Sequence, residues 1–163
     1  MREKIMKIFV QSAAFLAVLL GSGLSQAATT TASIPMGVDV PKSCTFSNVS
    51  AGIVVPEDGT EVVGNFKMSC NTGYSVLFDT DSSRLTSSGT YVKSAQNIKL
   101  LTNTSVTLWG FSTPIISTMT YIDPWPNYIG EQSGSIRVKL ANPTIATTPA
   151  GIYTDTLNMT VTY

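Results

Sequence analysis

The sequence predicts an all-β fold, an antiparallel sandwich of immunoglobulin-like type, and three observations carry that reading. Apolar residues recur with a period of two along most of the chain, whereas helical spacing is hard to find. Thr and Ser are abundant and charged residues make up only 12% of the chain, which suits strands and turns better than solvent-facing helices. Short strand candidates follow one another at intervals of roughly 8–12 residues, divided by turn residues and with no helical insertion, as in two-sheet sandwiches.

Taken in order, the chain opens on an export signal. Arg2, Lys4 and Lys7 form a basic region, Ile8 to Leu20 is mostly apolar, and Ser25 and Ala27 occupy the small-residue positions of a cleavage site. Residues 1–27 are therefore expected to be a signal peptide, and no later run is long and apolar enough to cross a bilayer. The first alternating stretch is Ala32, Ile34, Met36, Val38 and Val40, interleaved with Ser33, Pro35, Gly37 and Asp39. Further strand candidates are Cys44 to Val49, Val62 to Cys70, Tyr74 to Asp79, Ile98 to Leu101, Val106 to Phe111, Ile115 to Tyr121, Ser135 to Leu140 and Ile152 to Tyr163. Turn residues separate them at Pro56 to Gly59, Asn71 to Gly73, Ser87 to Gly89, Asp123 to Gly130 and Pro143 to Gly151.

Cys44 and Cys70 are the only cysteines. In an exported chain oxidising conditions favour their pairing, and such a bridge stabilises a fold by roughly 3–4 kcal/mol in the chain-entropy account.

Composition removes several functions. Lys and Arg together number ten, matched by ten Asp and Glu, and no basic cluster follows residue 27, so nothing offers a footprint for nucleic acid. The absence of histidine eliminates Ser-His and Cys-His nucleophile pairs and most zinc sites. Asp79 and Asp81 have a spacing open to calcium, yet the glycine and distant glutamate of a calcium loop are missing, and a plain turn is the expectation. Glu57, Asp58 and Glu61 around Gly59 read as a solvated hairpin. Trp109 reads as a core residue. The stretch from Asp123 to Tyr128 is the best candidate for a ligand loop, because Trp125 and Tyr128 could stack on a sugar or meet a protein receptor; the plainer reading folds Trp125 back onto the sandwich. No catalytic residue, metal site or cofactor is expected.

The C-terminal segment alternates as well: Tyr153, Asp155, Leu157, Met159, Val161 and Tyr163 share one face, and threonines with Asn158 occupy the other. A strand closing the chain has no following turn to supply a partner, so one of its edges is expected to need cover. The segment from Thr29 to Val40 has the length and pattern to provide it, either within one molecule or between two.

The motifs Val40-Pro41-Lys42-Ser43-Cys44, Val63-Gly64-Asn65-Phe66-Lys67-Met68-Ser69-Cys70 and the stretch from Ala150 to Tyr163 together resemble subunits of archaic, Csu-type chaperone-usher pili and the related spore coat U domain. Gly151, twelve residues before Tyr163, is similar to the wider pilin pattern. The resemblance implies an incomplete immunoglobulin-like sandwich, completed by donor-strand exchange. Residues 28–42 would be the donor segment and 43–163 the pilin domain. Ala32, Ile34, Met36, Val38 and Val40 would be the donated side chains. Gly151, Tyr153, Leu157, Met159, Val161 and Tyr163 would line the acceptor groove and meet the chaperone. Pro35 departs from the pattern by removing one ladder hydrogen bond from the donor.

The partners so implied are identical or related pilin subunits, a periplasmic chaperone and an outer-membrane usher, with a host receptor or abiotic surface beyond. The chain would be exported through the periplasm to the surface fibre, as a shaft or minor subunit rather than a two-domain tip. The rival expectation is a monomeric binding module that recognises glycan or protein through residues 123–128.

Overall fold

A computed structural model describes residues 29–86, 88–122 and 128–163. The expected signal peptide, together with Trp125 of the expected ligand loop, lies outside the described residues. Contacts divide the chain into two units, Met1–Asp39 and Val40–Tyr163. In the first unit, residues 29–39 form no helix or strand, and their side chains are exposed.

The second unit is an antiparallel sandwich of immunoglobulin-like type. Its strands are β1 (Cys44–Ser47), β2 (Val62–Cys70), β3 (Ser75–Thr80), β4 (Thr90–Lys93), β5 (Lys99–Leu108), β6 (Phe111–Pro114), β7 (Met119–Ile122), β8 (Gly130–Leu140) and β9 (Leu157–Thr162). A six-stranded sheet runs in the order β1-β2-β8-β5-β4, with β6 also paired to β5, and faces a three-stranded sheet ordered β7-β3-β9.

Alternation decides which side chains meet between the sheets. In β2, Phe66, Met68 and Cys70 point inward and Asn65 and Ser69 point outward. Val76 and Phe78 of β3, Val106 and Leu108 of β5 and Ile136 of β8 complete the core. The disulfide joins Cys44 to Cys70, which face each other across the β1–β2 ladder, so it staples the first strand to the core. Gly134 of β8 lies opposite Phe66 and lets that ring lie across the strand; a β-carbon there would overlap it.

Three local readings are corrected. Ile98 to Leu101 and Val106 to Phe111 are not two strands: β5 runs unbroken to Leu108, and Trp109 and Gly110 turn the chain with φ of 54° and 81°. Such a pair of positive φ angles suits a two-residue hairpin, and the glycine takes one of them without strain. Asp81 begins a six-residue helix, α1 (Asp81–Thr86), where a turn was expected. The last strand is β9 alone, because residues 152–156 cross between the sheets with only one bridge, Lys93 to Thr154.

Candidate functional site

The two sheets are unequal, and the smaller one stops at β9. Along one edge β9 pairs with β3 from Ser75 and Thr162 to Thr80 and Leu157; its other edge pairs with no strand among the described residues. Beside that edge lies a groove of about 870 Å³. Residues 49–55 form one wall, and residues 151–157 with Met159 form the other. Phe66, Ile136, Val138 and Leu140 reach it from the six-stranded sheet.

Each wall has a local cause. The chain after β1 stays on the edge of β2, since the Ser50 N–H donates to the Asn65 carbonyl at 2.9 Å and the Asn65 N–H donates to Ser50 Oγ at 2.9 Å. Gly64 makes room for Ile53: a β-carbon there would sit 2.7 Å from Ile53 Cδ1. On the opposite wall, Asp155 is the one charged residue on the apolar face of the terminal segment. It accepts from the Ser82 N–H at 3.1 Å and from the Ser82 hydroxyl at 2.6 Å, and Ser82 Oγ in turn accepts the Tyr91 N–H at 3.0 Å. Asp155 thereby ties the entry to β9 to α1 and β4. Asn158 faces away from the groove and donates to Asp79 and Asp81 at 3.2 and 3.0 Å.

Asp79 is only 2% exposed and accepts from Arg84 Nε at 2.7 Å, which holds the guanidinium above its ordinary pKa. Both carboxylates of the pair considered for calcium are thus engaged by nitrogen donors, and no cluster of three or more metal-ligating side chains occurs among the described residues.

One end of the groove has a polar floor. Thr102 donates to Thr90 Oγ1 at 2.7 Å, Thr90 bonds the Thr102 carbonyl at 2.9 Å, and Thr104 Oγ1 lies 2.9 Å from Thr90 Oγ1. These buried hydroxyls satisfy one another without help from any occupant of the groove. The rim is apolar and exposed, with Val54 at 89%, Ile145 at 69% and Ile152 at 84%. Exposed aliphatic residues gathered around an apolar groove mark a binding surface, for a protein, a membrane or an apolar ligand.

Of the six residues expected to line an acceptor, Gly151, Tyr153, Leu157 and Met159 do line this groove. Val161 packs on the core and Tyr163 is exposed, and neither is among the lining residues. Ile53 and Val55 form part of the groove and were not anticipated; their signal is the apolar run Ile53-Val54-Val55, which alternates with nothing. In the expected donor segment, Ile34, Met36 and Val38 are exposed by 86%, 94% and 86%, Ala32 is likewise exposed, and Val40 is 67% exposed. Tyr128 stacks on Trp109 with ring centroids 4.6 Å apart, and Tyr121 and Tyr74 close around the same indole. Trp109 is therefore packed against the core, as its sequence context suggested.

No protein-family model matches the chain, and no curated protein sequence matches it. Among solved structures the fold recurs in chaperone-usher pilus proteins. A chain of the chaperone–tip adhesion subunit pre-assembly complex from archaic chaperone-usher Csu pili of Acinetobacter baumannii superposes with a TM-score of 0.50 at 19% identity, over 76% of this chain and 40% of that one. A chain of a chaperone–tip adhesin complex of CFA/I fimbriae gives a TM-score of 0.49 at 15% identity, over 73% and 41% of the two chains. This chain thus spans less than half the length of either of these two chains. The likeness is one of fold.

Proposed function

We propose that this chain is a structural subunit of a chaperone-usher surface pilus, in which residues 32–40 of one copy enter the groove of the next. The observation that carries the reading is the pairing of two complementary features in one sequence. The 870 Å³ groove beside the free edge of β9 offers strand hydrogen bonds and an apolar floor. The segment ending at Val40 is in no helix or strand and carries apolar residues at every second position, all exposed. Strand addition uses both, with main-chain bonds for affinity and alternate side chains for fit. Each buried Ile, Met or Val adds roughly 1.5–3 kcal/mol before ordering costs.

Because donor and acceptor are different surfaces, a joint of this kind repeats head to tail, and it builds a fibre where neither reciprocal exchange nor rotation closes it into a dimer or ring. Until a neighbour arrives, the same groove is the surface a periplasmic chaperone would cover, with an outer-membrane usher as the place of exchange. The fibre would support adhesion or biofilm formation.

Deleting residues 28–40 tests the reading. The truncated chain should keep its disulfide and β-type circular dichroism yet form no multimers, while still binding its chaperone. Full-length fibres from the truncated protein would overturn the proposal.

A further inference from the structure

We infer that Asn71 is a positioning residue that directs the donor segment to a neighbouring molecule by preventing it from turning back into its own groove. The inference rests on the strand-exchange reading above. Asn71 follows the last residue of β2, and its amide grips the chain just before β1. Its Oδ1 accepts the Ser43 N–H at 2.7 Å, its Nδ2 donates to the Pro41 carbonyl at 2.9 Å, and its own N–H donates to the Ser43 carbonyl at 3.1 Å. The side-chain amide thus stands in for a further peptide of β2, and it prolongs the β1 ladder back to Pro41.

That clamp bears on the choice between self-filling and exchange. Residues 49–55, one wall of the groove, follow β1 in the same direction along β2. For residues 32–40 to lie beside that wall in the same molecule, the chain must reverse between Val40 and Cys44. Two-residue hairpin turns of the favoured types need positive φ at one or both central positions, which Pro41 cannot adopt and for which Lys42 and Ser43 are poorly suited. Pro41 also confines Val40 to extended conformations. Longer turns would have to use the peptides that Asn71 holds. Backbone stiffness and the amide clamp therefore act together, and Asn71 is the separable part.

The test is cross-linking in the mature chain. Gly37, where an added side chain would meet nothing within 4 Å, is changed to Cys and combined in three separate variants with Thr156→Cys, Thr160→Cys or Thr162→Cys, all exposed positions on or just before β9. Non-reducing gels then separate cross-links within one molecule from those between molecules. With Asn71 present, cross-links should be intermolecular. Asn71→Ala should raise the intramolecular fraction roughly fivefold and shorten the multimer ladder, with Asn71→Asp, which keeps the acceptor for Ser43 and loses the donor to Pro41, in between. Mass measurement confirms that Cys44 and Cys70 stay paired in each variant, so a folding defect is recognised, and the Asn71→Asp variant then supplies the comparison.

Unchanged intermolecular cross-links in both Asn71 variants would overturn the clamp and leave strand exchange standing. Intramolecular cross-links in the parent would overturn both. A parent that forms neither kind would remove strand exchange, and the clamp with it.

Discussion

Gly134 shows how much one residue decides. It lies beneath Phe66, one of the most deeply buried side chains, and any β-carbon there must displace the ring. Overfilling a packed core costs about 1–3 kcal/mol. Gly134→Ala should lower the urea midpoint accordingly, measured with the mature chain saturated by a synthetic peptide of residues 29–41 so that the groove is filled in both samples. Charged residues differ in the same way by surroundings. Lys67 with Glu131 and Arg137 with Glu61 are exposed ion pairs, worth little individually. Arg84 instead serves a buried carboxylate, so Arg84→Gln should lower the urea midpoint more than Lys67→Gln does.

Asp58 accepts the Thr60 N–H at 2.8 Å, which holds its carboxyl below the usual carboxylate range. A depressed folded value means stability that is present above the unfolded pKa and lost as pH falls through the folded one. Replacing Asp58 by Asn should flatten that acid limb in a pH series of urea midpoints. Burial along β2 and β3 was readable from alternation alone. The buried position of Asp79 was not, because it depends on Arg84 and Asn158 arriving from other elements.

Among the described elements, β9 pairs with a single strand, β3. Its approach is fixed by Asp155 on Ser82 and by the backbone bond from the Asp81 N–H to the Thr156 carbonyl at 3.0 Å. Asp155→Ala removes two hydrogen bonds to a charged acceptor and should reduce stability by about 1–3 kcal/mol, read in the same peptide-saturated urea assay. Alternation places Asp155 on one face with Tyr153, Leu157 and Met159 but does not show what it binds. It missed β4 and α1 because four and six residues carry too little periodicity to stand out, and Thr90 is buried through hydroxyl bonds rather than through hydrophobicity. The early part of β8 was missed for a related reason: Gly130-Glu131-Gln132-Ser133-Gly134 reads as loop chemistry, yet it pairs fully with β2 from Lys67 to Cys70 and, at Gly134, with Phe66.

Across the whole molecule, sandwich class and disulfide followed from pattern and cysteine arithmetic, whereas the groove was visible only in part. Its β9 wall could be read from the alternating terminal segment. The facing wall could not, since Ile53 and Val55 lie in no strand and are placed by bonds to β2 from their neighbour Ser50. The unequal sheets leave a largely apolar floor open beside β9. If residues 32–40 cover it as a strand, carboxylates on that strand's apolar face cannot be accommodated, because burying an unpaired charge is far more costly than the contact is favourable. Ile34→Asp together with Val38→Asp should reduce multimers at least about a hundredfold while leaving the disulfide and strand content unchanged.

Gel migration of the mature protein with and without boiling tests the account at its centre. Unboiled samples should run as a ladder of multimers that collapses to a single band on heating. A monomer band in both lanes, from protein shown to be folded with its disulfide intact before loading, would contradict it.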